Sequence, residues 1–214
     1  MGGNKKRQVR NLMEAVVKHK PNVKRGDKNG GKYSHYKCFG FRKDPLKSGV
    51  LGQYTFKPKT PTEIERRIGR EISVLVQNME SASMSLVGGM NEHTRFQKAR
   101  KLLEIPSIAG TETGISTQFS VGVNYWSGAH QDKDFFFTFL SCLSANSDDH
   151  EEEIYYFCYP EYKIALPLKP GDLIVFNPLK FHCCSNSRYD DAYIFSAYVS
   201  EKTVMTAGIA KYLV

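Results

Sequence analysis

Lys169-Pro170-Gly171-Asp172-Leu173-Ile174-Val175-Phe176-Asn177-Pro178-Leu179-Lys180-Phe181-His182 holds two turns and one short strand. Pro-Gly-Asp forms a tight turn, because proline presets φ and glycine accepts the positive φ that follows. Leu173–Phe176 is a short apolar run of strand length, bounded by turn signals, and so reads as a buried strand. Asn177-Pro178 then breaks it with a second turn. What the second turn delivers is His182.

A histidine presented in this way invites a search for partners. His182 lies 50 residues after Asp132, within His130-Gln131-Asp132. In an extended strand, residues i and i+2 point the same way, so His130 and Asp132 can reach one ion together. Two imidazoles and a carboxylate occupy one face of an octahedral Fe(II) and leave the other positions open. His130, Asp132 and His182 are therefore the candidate metal ligands and the candidate catalytic set. Zinc accepts the same donors, but no Glu stands where a hydrolytic base is expected. His19, His35, His93 and His150 have no partner at ligand spacing.

The second His must return on a strand folded back across the sheet, and the chain between the two supplies such strands. Ile115–Trp126, Phe135–Leu143, Ile154–Tyr159, Tyr162–Leu168, Leu173–Phe176, Phe181–Ser185 and Ala192–Ser200 are short, aromatic and β-branched, with turn residues between them. Phe135, Phe136, Phe137 and Phe139 are expected to line the pocket or pack the core in alternation. Upstream, Thr60-Pro61-Thr62-Glu63 opens a helix expected to reach about Asn78, with Ile64, Ile68, Ile72, Leu75 and Val76 on one face. A second helix is expected over 92–103. Strands behind two helices make an α+β protein with an all-β barrel or sandwich buttressed on one side.

The 214 residues, 41% of them hydrophobic, suit one domain with attachments. The expected organisation is a basic flexible arm over 1–32, then a single domain over 33–214, with helices in 61–104 and the β core in 111–203. Within the arm a short helix is expected at Met13–His19 and a loop at Asn22–Lys32. Tyr33 to Phe56 reads as irregular strands packed on the body. Residues 1–60 carry 16 Lys/Arg against 3 Asp/Glu, whereas 111–214 are net acidic. That asymmetry suggests a polyanionic partner, nucleic acid above all. Five cysteines, two of them adjacent, make a poor disulfide framework and suggest a reducing compartment. No apolar run approaches a membrane span, and no apolar segment follows the charged N-terminus. The expected location is intracellular: the nucleus in a eukaryote, otherwise the cytoplasm.

At the metal segment the chain resembles the Fe(II)/2-oxoglutarate dioxygenase superfamily, over roughly Ser116–Thr203. This resemblance implies a double-stranded β-helix, or jelly-roll, core. It also implies Fe(II), O₂ and 2-oxoglutarate as cofactor and co-substrates. His130-Gln131-Asp132-Lys133-Asp134 is similar to the metal segment of the AlkB-like alkylated-DNA repair dioxygenases, which implies that Asp134 contacts a base. Asn124 and Tyr125 match, at shorter spacing, an Asn and Tyr on the strand before the metal, and are the implied cofactor-side residues. Trp126–Phe139 and Tyr193–Ser200 resemble the TET/JBP branch, which oxidises 5-methylpyrimidines. One departure stands out. These families carry an Arg on the last strand to pair the co-substrate carboxylate, and residues 192–199 contain no base. Arg188 and Lys202 are the nearby candidates to replace it, and Tyr193, Ser196 or Tyr198 can hydrogen-bond the carboxylate but not neutralise it. The alternative is a different acid, as in an algal TET-like branch that uses ascorbate. The expected function is hydroxylation of a C–H bond on a methylated base in DNA or RNA. A prolyl-type protein hydroxylase and a degenerate β-helix binding module are the other readings.

Overall fold

The computed structural model describes residues 3–23, 36–47, 49–87, 91–110, 114–144, 152–190 and 192–212. Helix α1 (Gly3–His19) is followed by strands β1 (Tyr36–Lys43) and β2 (Leu51–Gln53). Next come α2 (Thr62–Val87) and α3 (Asn91–Leu102). The β-rich half contains β3 (Gln118–Val123), β4 (Ser127–His130), β5 (Asp134–Ser144), β6 (Tyr155–Tyr159), β7 (Ile164–Leu168), β8 (Leu173–Phe176), β9 (His182–Cys184) and β10 (Ala192–Ser200). Helix α4 (Glu201–Tyr212) follows directly.

Two antiparallel sheets face each other as a double-stranded β-helix. The major sheet runs β2-β1-β3-β10-β5-β8 and the minor sheet β4-β9-β6-β7. The strand after Pro170-Gly171 is β8, an edge of the major sheet, and β9 crosses to the minor sheet after the Asn177 turn. Gly171 adopts φ 87°, and the Asp172 N–H donates to the Lys169 carbonyl at 3.0 Å, so the first turn forms as the sequence requires.

Two cores form on either side of the major sheet. On its outer face, Phe119, Val121, Phe139, Leu143 and Phe195 pack against Ile68, Ile72, Leu75, Val76 and Met79 of α2. Between the sheets, Phe157, Leu168, Phe176, Cys184 and Ile194 make the second cluster. Helix α2 continues to Val87 rather than stopping near Asn78. Met79 and Ser83, three and seven residues after Val76, keep the buried stripe going.

The flexible basic arm gives way, over Gly3–His19, to a helix that belongs to the core. Leu12, Met13 and Val16 are buried there against α2 and the major sheet. The apolar stripe of α1 is short and surrounded by Lys and Arg, so composition masked it. Residues 24–35, most of the expected Asn22–Lys32 loop, lie outside the described residues, as do His35, His150 and much of the acidic stretch from Asp148. The strand expected over Ile115–Trp126 is shorter, β3, and β4 is an additional strand after Trp126 that joins the other sheet. Tyr162 belongs to a 3-10 turn (Pro160–Tyr162), and β7 starts at Ile164. The β core expected to run to 203 ends at Ser200 and becomes α4. Among the described residues, no helix is long and apolar enough to cross a membrane.

Lys20, just past α1, is fully buried. Its ammonium donates to the Tyr54 carbonyl at 2.5 Å and sits 3.8 Å from the centre of the Phe56 ring. Burial pulls its pKa from 10.5 down to about 8. The unfolded chain therefore holds this proton more tightly, and folding is penalised below about pH 8. The stability tied to this group is present above pH 10.5 and is lost as pH falls through about 8. Between pH 7 and pH 9 the wild type is expected to gain about 1 kcal/mol relative to Lys20→Met. Urea denaturation of both proteins at the two pH values checks this, and a pH-independent difference would contradict it.

Candidate metal centre

His130 ends β4 and His182 opens β9, and the two residues are registered opposite each other. Asp132 follows two residues after His130, and its N–H donates to the Pro178 carbonyl at 2.9 Å. The Gln131 amide donates to the Leu179 carbonyl at 2.7 Å. The H-x-D segment is thus stitched to the turn that delivers His182. That turn is closed by Leu179 N–H to Asn177 Oδ1 at 2.9 Å and Lys180 N–H to the Asn177 carbonyl at 3.2 Å.

One ligand atom from each of His130, Asp132 and His182 lies within 4.8 Å of the others. Asp132 Oδ1 is 3.6 Å from His130 Nε2, and Oδ2 is 3.3 Å from His182 Nε2. Each imidazole is oriented from behind. His130 Nδ1 lies 2.8 Å from the Gly128 carbonyl, and His182 Nδ1 lies 2.8 Å from the Lys180 carbonyl. A carbonyl only accepts, so both Nδ1 atoms carry the proton and both Nε2 lone pairs face inward. That is how proteins commonly set a metal-binding histidine. Phe157 stacks on the His182 ring with centroids 5.5 Å apart, and Phe176 packs at 4.9 Å. The donor set therefore fits a divalent first-row metal, and the two-His, one-carboxylate pattern suits Fe(II).

The cluster opens into a cleft between the sheets, lined also by Tyr36, Ser120, Tyr125, Asp134, Thr138, Ser196 and Tyr198. An irregularity in the sheet sets this lining. Across from β10, the register jumps from Ala197↔Phe139 to Val199↔Phe135, and Phe136 takes φ 64°. The bulge turns Phe136 out onto Phe96 of α3, at 5.8 Å, while Asp134 and Thr138 face the cleft. None of Phe135, Phe136, Phe137 and Phe139 lines the cleft, and Phe139 is buried in the outer core.

Of the other residues expected at the site, Tyr125, Asp134 and Ser196 do line the cleft. Asn124 does not. Its φ is 47°, its Oδ1 accepts the Ala192 N–H at 3.0 Å, and its Nδ2 donates to the Asp190 carbonyl. Asn124 pins the start of β10. Arg188 is also placed elsewhere: half exposed, it pairs with Glu153 at 3.2 Å outside the cleft. Ser120 and Thr138 were not legible beforehand. Ser120 shares a 2.8 Å hydrogen bond with Ser196. Thr138 Oγ1 is buried without a hydrogen-bond partner. A polar residue inside Phe135–Leu140, otherwise apolar, is the signal that could have found Thr138.

Fold and cluster together define a double-stranded β-helix with a two-histidine, one-carboxylate metal face. NgTET1 in complex with 5mC DNA shares this fold, with a TM-score of 0.60 and 11% identity over 95% of this chain and 70% of that one. A 2OG-Fe(II) oxygenase family oxidoreductase from Burkholderia pseudomallei matches 90% of this chain and 79% of its own, at 12% identity and TM-score 0.47. No family model matches the chain, and no curated protein matches it.

Proposed function

We propose that the protein is a non-haem Fe(II) dioxygenase that hydroxylates a C–H bond on a base in DNA or RNA. The observation that carries this reading is the inward-facing His130, Asp132 and His182 set at the mouth of the cleft. NgTET1, which shares the fold, is bound to 5mC DNA, and the excess of Lys and Arg in residues 1–60 favours the same class of partner.

A bound Fe(II) would supply the site at which O₂, the oxidant, is activated. The chain's own residues do the rest. The Nδ1 contacts to the Gly128 and Lys180 carbonyls fix both ring orientations, with Nε2 aimed at the cluster. Tyr36, Tyr125 and Tyr198 give the cleft flat aromatic walls suited to a planar ring. Asp134 offers an acceptor for an exocyclic amine near the metal face. A target base would reach this cleft only from a single strand or after flipping from a duplex.

2-Oxoglutarate fits poorly. Among the described residues lining the cleft there is no Lys or Arg, so the distal carboxylate of a dianion would have no counter-charge. The donors available to the far end of an organic acid are hydroxyls, those of Ser120, Thr138 and Ser196. A replacement acid therefore suits this cleft better. The same lack of a cation also supports the second reading, a binding module without turnover.

The test is incubation with Fe(II), O₂ and an oligonucleotide carrying 5-methylcytosine, with 2-oxoglutarate or ascorbate supplied separately. The expected product is a base heavier by one oxygen, and binding that weakens steeply with salt. Arg188→Ala is expected to leave the co-substrate KM within about twofold of wild type, because an exposed ion pair outside the cleft contributes little. Absence of both product and co-substrate consumption would overturn the base-oxidation reading and leave a protein hydroxylase or a binding module.

A further inference from the structure

The minor sheet carries a pair of free thiols on the face opposite the metal cluster. Phe157 of β6 and both His182 and Cys184 of β9 line the cleft. Side chains alternate along a strand, so Cys158 and Cys183 point to the outer face. They are directly opposed in the β6–β9 register, both are free thiols, and both are half-buried. The two thiols are within hydrogen-bonding reach of each other. Their flanks are small and open. Exposed Ala165 of β7 stands opposite Cys158, and exposed Gly128 and Ala129 of β4 lie on the β9 side. A Cβ added at Gly128 would meet nothing within 4 Å.

We propose that Cys158 and Cys183 form a redox modification site, which a disulfide oxidant of the glutathione class converts to a cross-strand disulfide that loosens the metal cluster on the reverse face. One protein thiolate attacks the oxidant and expels one glutathione thiolate. The second attacks the mixed disulfide and expels the other. The two protein thiols lose two electrons and two protons, and the oxidant becomes two thiols. Directly opposed residues have Cβ atoms about 4.5–5.5 Å apart. A disulfide draws them to about 3.8 Å. Closing the bridge pulls β9 toward β6 and away from β4, the strand that presents His130. The β4–β9 pairing is already interrupted between Ser127 and His130, so it yields first. Loosening of the metal cluster rests on the metal reading above, and formation of the bridge does not.

The full chain is treated with oxidised glutathione in the absence of metal. Titratable thiols are expected to fall from five to three, with a peptide linking 158 to 183 and a mass lower by two hydrogens. In a titration with Co(II) alone, the Kd is expected to rise about tenfold and to recover on reduction. Cys158→Ser and Cys183→Ser should each prevent both changes. A stable glutathione adduct without a bridge, a bridge between other cysteines, or an unmoved Co(II) affinity would overturn the proposal. A reduced chain that binds no Co(II) overturns the metal reading and the loosening with it, and the thiol count then still decides whether the bridge forms.

Discussion

Asp132→Ala is expected to weaken binding of Fe(II), or of Co(II) as its spectroscopic substitute, on the order of a thousandfold. Changes to groups that merely orient a metal ligand cost about 10–100-fold. Losing a ligand outright must exceed that, and Asp132 is the one anionic donor among the three. It also lies between the other two, 3.6 Å from His130 Nε2 and 3.3 Å from His182 Nε2. Without it, two neutral donors remain on neighbouring strands, and oxidation of any substrate should fall below detection. An anaerobic Co(II) titration followed by visible absorption measures the loss, with circular dichroism confirming that the sheets persist. Unchanged affinity in this variant would place the metal elsewhere.

The second large effect is on folding. Glu80→Ala is expected to destabilise the protein by about 2–4 kcal/mol, because each buried donor left unsatisfied costs about 1–3 kcal/mol. Glu80 lies on α2 and is buried. Its carboxylate accepts the Ser116 N–H at 2.7 Å and the Ile115 N–H at 3.2 Å. Those two residues lead into Thr117, whose N–H donates to the Tyr198 carbonyl at 2.9 Å and whose hydroxyl accepts the Ser200 N–H at 3.0 Å. One carboxylate therefore ties the long helix to the two strands at the centre of the major sheet. Burial pushes its pKa up, so the charge is itself held at a cost. Glu80→Gln keeps an acceptor oxygen and sheds the charge, so it should lose less than Glu80→Ala. Urea midpoints of the three proteins give the order. Equal losses for Gln and Ala would mean that the N–H contacts contribute nothing.

The metal triad was legible because each part had a local cause. The H-x-D spacing keeps His130 and Asp132 together, although β4 ends at His130 and the Asp132 N–H bond to Pro178 sets the second side chain. The Pro170-Gly171 and Asn177-Pro178 turns leave His182 little choice of position. The strands after Pro106 were legible through β-branched and aromatic runs. What the sequence concealed depended on long-range packing. The apolar stripe of α1 is only a few residues wide within a basic helix. Strand β4, four residues long, pairs in a different sheet from β3, a choice of partner that no local pattern states. Asn124 and Arg188 matched or neighboured a motif, yet each found a nearer partner, at Ala192 and Glu153. Thr138 keeps the alternation of β5, and it is Phe136, of the same parity, that the bulge turns away from the cleft.

Strand β7 closes the minor sheet on one side, with Ile164 46% and Leu166 39% exposed. Such a border, apolar and unpaired among the described residues, is a template onto which another chain can zip. Here the template is interrupted. Pro167 has no N–H to offer, and Lys163, in the left-handed conformation at φ 54°, ends the extended backbone just before Ile164. Only a three-residue ledge remains, too short to seed the continuous cross-chain ladder of a fibril. The molecule can thus leave greasy side chains in water without inviting copies of itself to stack.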